Sequence, residues 1–215
     1  VELFSTGGHV AYKFTTGGVN DDITVWDADD VADYDPKNPF RSKRTTYALP
    51  SYNEWYKAAY YNPADSLYYK FANGKNTMPT PVSSGIDPDT AVFSFDEFEV
   101  DAPADVHLAG GLSPYGVMGL EGNAWEWEES SFDVSPGNYN TNGSSIRGFR
   151  GGDFTSDNIS SSLRRWEYPM ALDSESLGFR VVRLSAGGEV PEPSMMLIGT
   201  LLGFGGIIAK RRIKK

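Results

Sequence analysis

The sequence predicts a mixed α+β domain poor in regular secondary structure, followed by a C-terminal hydrophobic helix. Three observations carry that expectation. Twenty-three Gly and 13 Pro stand beside 12 Tyr, 12 Phe and 5 Trp in 215 residues, so turns alternate with large aromatic anchors. Residues 49–63 show helical periodicity with both ends marked. Residues 195–209 carry no charge and run into a basic end.

The elements follow in chain order. Residues 1–48 are rich in Gly, Thr and Asp, and alternating runs such as His9 to Phe14 read as short strands in hairpins and loops. The helix comes next. Ser51 and Glu54 form an S-x-x-E capping box, Tyr52, Trp55, Tyr56 and Ala59 make one apolar stripe, and Asn62-Pro63 stops it. Residues 73–114 read as long loops pinned at a few aromatics, with a strand over Ala91 to Phe95. Arg147 to Gly152 and Leu177 to Leu184 are expected as two further strands, the second closing the domain. The organisation expected is a domain over 1–184, a Gly-containing linker over 185–189 and a tail over 190–215. The chain opens on Val1 without a signal peptide, so an upstream part is expected.

Composition excludes several classes of function. The net charge is −10 although five of the last six residues are basic, and such acidity argues against nucleic acid as a partner. There is no cysteine, so no disulfide, thiol nucleophile or zinc–thiolate site can form. The two histidines, His9 and His107, stand in no metal-binding or Ser-His-Asp arrangement and read as ordinary surface or loop residues.

One carboxylate stands out. In GLEGNAWEWEES, residues 119–130, Glu126 lies between Trp125 and Trp127. Desolvation there favours a general acid, a carboxylate on a hard cation such as calcium, or one held by backbone N–H groups. Trp125 and Trp127 are expected to pack inward, with Glu128 and Glu129 solvated.

Four motifs then occur together: LPSYNEWYKAA at 49–59, SPYGVMGLEGNAWEW at 113–127, RGG at 150–152 and GFR at 178–180. As an ordered set they resemble the formylglycine-generating enzyme (sulfatase-modifying factor) family. The resemblance implies a C-type-lectin-like fold. It also implies a calcium ion bound by the carbonyls of Gly122 and Ala124 and the carboxylate of Glu126, with a further side-chain ligand at a position that is Gly119 here. The family's two copper(I)-binding cysteines fall at Ser156 and Ser161, hard hydroxyls that do not suit that soft ion, so copper is not expected. Asp153 replaces the small polar residue that follows the Gly-Gly pair. The family's opening segments are largely missing before residue 49, so the domain is expected to be incomplete at its N-terminal side.

The tail carries a second resemblance. Pro191, Glu192 and Pro193, the apolar run 195–209 and the basic end are similar to the PEP-CTERM sorting signal. That implies recognition by an exosortase-type enzyme, an inner-membrane tail anchor before processing, and delivery to the cell envelope or extracellular matrix. At about 1.5 Å per residue the run spans roughly 22 Å, short of a bilayer core unless flanking residues extend it. Together these readings predict an exported, non-catalytic binding module whose loops contact polysaccharide or peptide. Two alternatives stand beside it: a metal-dependent modifying enzyme of the same family using Asp153, Glu126 and Arg164, and a purely structural matrix protein.

Overall fold

The computed structural model describes residues 5–6, 9–14, 23–132, 147–167 and 176–184. The elements are β1 (Ser5–Thr6), β2 (His9–Val10), β3 (Lys13–Phe14), β4 (Ile23–Thr24), β5 (Tyr47–Ala48), α1 (Tyr52–Tyr60), β6 (Tyr61–Asn62) and β7 (Leu67–Tyr68). There follow β8 (Thr80–Val82), β9 (Thr90–Val92), a 3-10 turn (Val106–Leu108), β10 (Trp125–Ser131), β11 (Arg147–Arg150), β12 (Arg164–Glu167), β13 (Leu177–Gly178) and β14 (Val182–Arg183). Most strands are two or three residues long, as the density of turn residues predicts. The apolar run 195–209, the linker and the Pro191-Glu192-Pro193 triplet lie outside the described residues. Among the described residues no helix is long and apolar enough to cross a membrane.

Helix α1 forms where the capping box places it. Ser51 accepts the Glu54 backbone N–H while the Glu54 carboxylate accepts the Ser51 N–H, an arrangement that stabilises a helix start by about 1 kcal/mol. Tyr52, Trp55, Ala59 and Tyr60 are its buried residues. Tyr56 of the predicted stripe is only half-buried, stacked on Tyr52 and edge-on to Tyr60. The helix ends at Tyr60 and the chain leaves directly as β6, paired antiparallel with β7.

The main sheet has the order β12-β11-β10-β13. Strand β10 is its centre, antiparallel to β11 with Trp127 opposite Phe149, and parallel to β13 with Glu126 opposite Gly178. Both faces of β10 are covered, so all seven of its residues are buried. Trp125 and Trp127 pack edge-on against Phe149 at 5.1 and 5.4 Å between ring centroids. Helix α1 is tied to the same strand: Tyr52 N–H donates to Ser130 Oγ at 2.9 Å, and Glu129 N–H to the Pro50 carbonyl at 2.9 Å.

Three strand expectations change. The His9 to Phe14 run is two strands, β2 pairing with β1 and β3 with β4. The strand expected over Ala91 to Phe95 is β9, which begins at Thr90, stops at Val92 and runs parallel to β8. Leu177 to Leu184 breaks in two because its halves serve different partners, β13 joining β10 while β14 pairs antiparallel with β5. The break carries Arg180 into the site described next.

Gly122 explains why the loop into β10 needs glycine. Its φ is +69°, and a Cβ there would lie 2.0 Å from the Val92 carbonyl oxygen. Only a hydrogen atom fits that approach. It lets Asn123 N–H bond Val92 O at 2.7 Å and Gly122 N–H bond Gly151 O at 2.8 Å, joining the loop to β9 and to the Gly151-Gly152 turn.

Candidate functional site

The acidic segment of β10 is a row of buried carboxylates, each held by arginine. Glu126 is gripped by Arg180, whose Nε donates to Oε2 at 2.5 Å while Nη2 reaches Oε1. The Trp55 indole N–H donates to the same Oε2 at 2.7 Å. Arg180 Nη2 also donates to the carbonyls of Met118 and Gly119 at 3.2 and 3.1 Å. Helix α1, strand β10, the loop before it and the segment after β13 therefore meet at one ion pair, Glu126–Arg180.

Glu128 and Glu129 are not solvated. Both are fully buried. Glu128 pairs with Arg150 and with Arg164, whose Nη2 lies 2.7 Å from Oε2. Glu129 accepts from Arg41 Nε at 2.7 Å, the Tyr12 hydroxyl at 2.8 Å and Asn38 Nδ2. Arg150 and Arg164 also lie over the Tyr52 ring, at 4.3 and 4.7 Å from its centroid. A buried carboxylate is tolerable only when such partners replace its water. Burial pulls the Arg41 pKa down, but Glu129 and Glu54 outweigh it and hold the guanidinium well above its usual range. The Tyr12 phenol is pushed well up, by burial first and by Glu129 second.

The residues that would hold calcium can be tested against this geometry. Gly122 O accepts the Ala124 N–H at 2.8 Å, and both Glu126 oxygens face the Arg180 guanidinium. A hard divalent cation needs six to eight oxygens and a carboxylate free of competing positive charge. Glu126 with Arg180 on it does not fit that requirement. Gly119 supplies no side chain, and its carbonyl already accepts from Arg180. Glu126 is held by side-chain donors rather than backbone N–H groups.

The positions of the family cysteines are built differently. Ser156 Oγ donates to Asp153 Oδ1 at 2.7 Å and accepts the Asp153 N–H at 3.0 Å, and Thr155 adds two bonds to the same Oδ1. This closed turn uses the Ser156 hydroxyl as both donor and acceptor. Ser161 bonds through its backbone, N–H to Lys70 O at 2.8 Å and carbonyl to Arg150 Nη1 at 3.2 Å. Asp153, Glu126 and Arg164 have separate partners: Asp153 belongs to this turn, Glu126 to Arg180 and Trp55, and Arg164 to Glu128 and the carbonyls of Ser131 and Phe132.

One carboxylate escaped the sequence reading. Glu121 is 4% exposed, between Leu120 and Gly122, and burial pushes its carboxyl well above the usual range while an Ala72 N–H works the other way. Nothing in residue spacing separates it from its acidic neighbours.

Residues 20–185 match the family model described as "Sulfatase-modifying factor enzyme 1-like domain". The chain belongs to that family. Among the described residues its sulfatase-modifying-factor fold is mostly short strands around one sizeable helix. Among solved structures it is similar to "Treponema denticola variable protein 1" (19% identity, 67% of this chain and 50% of that one, TM-score 0.46). It is also similar to CarF (20% identity, 67% and 49%, TM-score 0.47). The chain spans about half the length of each. No curated protein matches it.

Proposed function

We propose that this sulfatase-modifying-factor-type domain is an exported, non-catalytic binding module of the bacterial envelope or extracellular matrix. The observation that carries the reading is Ser156. At the position of a copper-binding cysteine stands a hydroxyl already closed onto Asp153 as donor and acceptor. A soft copper(I) ion favours thiolates, and this chain has none to offer. In this reading Arg180 supplies the positive charge at Glu126, so the framework calls for neither copper nor calcium. The long loops over 73–114 supply the contact surface, and the ligand class is polysaccharide or peptide. Pro191, Glu192 and Pro193 with the run 195–209 act as a sorting signal that anchors the chain in the inner membrane until an exosortase-type enzyme removes it.

The test has two arms. Incubation with a cysteine-containing peptide, copper(I) and oxygen is expected to yield no more aldehyde-containing peptide with the protein than without it, while an exopolysaccharide and peptide array is expected to retain the protein. Conversion of the cysteine to an aldehyde above the protein-free control would overturn the non-catalytic reading. For export, deletion of residues 190–215 is expected to abolish surface delivery in an exosortase-bearing host, and unchanged delivery would remove the sorting-signal assignment.

A further inference from the structure

Glu121 lies outside every ion pair described above. An Ala72 N–H serves one carboxyl oxygen, and Oε1 is buried with no hydrogen-bond partner. Beside it is a cavity of about 10 Å³, room for one water-sized group. The walls are small: Ala72, Ala91, Ala109, Gly111 and Gly119. A Cβ at Gly119 would come 3.3 Å from the Ala109 methyl, so a larger residue there would close this wall. Gly119, Gly111, Asn73 and Thr90 are only half-buried, which places the mouth at the surface.

The other polar side chains of the lining are committed. Ser113 Oγ donates to Ala58 O at 2.9 Å, Thr90 Oγ1 to Asp87 O at 2.7 Å, and the Asn73 amide bonds Lys75 N–H and Thr77 O. Among the described residues no lysine, arginine or histidine lines the cavity. Glu121 Oε1 is thus the unpartnered side-chain acceptor of the lining, on a carboxyl group without a cation. The buried Tyr60 hydroxyl, also without a hydrogen-bond partner, lies within electrostatic reach of Glu121.

We propose that this cavity is a subsite for a primary ammonium group, with Glu121 as its acceptor and counter-charge. Size limits the occupant to a head group as small as water, and the lone carboxyl selects a cation that donates hydrogen bonds. A divalent metal would need oxygens the lining does not supply. A quaternary ammonium is too wide and has no N–H. The proposal rests on the binding-module reading and names the ligand chemistry within it.

The probe is methylammonium chloride added to the full chain, with tetramethylammonium chloride at equal ionic strength as control. Methylammonium is expected to raise the thermal unfolding midpoint by at least about 2 °C, the control to leave it unchanged, and Glu121→Gln to abolish the difference. Carboxyl carbon NMR of the wild-type chain gives a readout independent of the variant: the Glu121 resonance moves with methylammonium and not with the control. Equal effects of both salts, an effect retained in Glu121→Gln, or no effect overturns the subsite. Glucosamine and Nα-acetyl-lysine amide then separate the two sources of the head group, and failure of both to compete with methylammonium also overturns it as a ligand subsite. Array binding that survives a negative salt titration removes only the subsite, whereas a positive titration with an empty array removes only the broader reading.

Discussion

Arg180 and Glu126 form a two-point ion pair across 54 residues of sequence, sealed by the indole N–H of Trp55 at 2.7 Å. Removing one member leaves the other buried without its charge partner, which costs about 3–5 kcal/mol. Arg180→Met is therefore expected to lower urea-unfolding stability by that order. Saturating calcium is expected to leave the wild-type thermal midpoint where it is. A rise with calcium that chelator reverses would contradict the guanidinium's role as the resident cation.

Arg41 faces Glu54 and Glu129 at once, at 2.8 and 2.7 Å, and is itself buried. Arg41→Met is expected to destabilise by at least about 3 kcal/mol in chemical denaturation. The exposed pair Lys75–Asp89 is the contrast, and Lys75→Met is expected to cost less than about 1 kcal/mol. Similar losses for the two variants would show that burial does not set the cost.

Glu54 gives the acid limb of stability. Burial alone would raise its carboxyl, but Arg41 on both oxygens and the bonds to Ser51 outweigh burial and hold it below the usual range. The unfolded side chain titrates near about 4.3, so the contribution is fully present above that pH and is lost as pH falls through the lower folded value. Unfolding free energies measured from pH 6 down to pH 2.5 are expected to fall more steeply for wild type than for Glu54→Gln. Parallel curves would refute the assignment.

Gly122→Ala sets a methyl against the Val92 carbonyl at 2.0 Å, while Gly116→Ala, at φ +76°, meets nothing within 4 Å. The second variant is expected to lose about 1–2 kcal/mol from its backbone conformation alone. The first is expected to lose several kcal/mol more or to fail to fold, read by circular dichroism and thermal melts. Equal melts would mean that the loop before β10 relaxes freely.

Local chemistry was legible in the sequence where its partners lie close in the chain. The capping box of Ser51 and Glu54 is one helical turn, and α1 starts there. The inward packing of Trp125 and Trp127 follows from aromatic side chains on a central strand. Glu128 and Glu129 were misread because the residues that make their burial tolerable, Arg150, Arg164, Arg41 and Tyr12, lie up to 117 positions away. Strand alternation marks a polar residue as outward-facing only when one face of a sheet meets water, and β10 has no such face. For the candidate site, spacing singled out Glu126 but not Arg180 as its partner. Glu121 left no signal at all, since its isolation depends on which small residues of distant loops happen to surround it.

The carboxylates of β10 also impose a schedule on synthesis. Glu126 leaves the ribosome 54 residues before Arg180, and Glu128 36 residues before Arg164. At about 5–20 residues per second that is an interval of seconds during which Glu126 and Glu128 lack those arginines, while Arg41 and Tyr12, the partners of Glu129, are already made. The charges of β10 can all be paired only after the GFR motif has emerged, and Arg180 is the last of their arginine partners to be made.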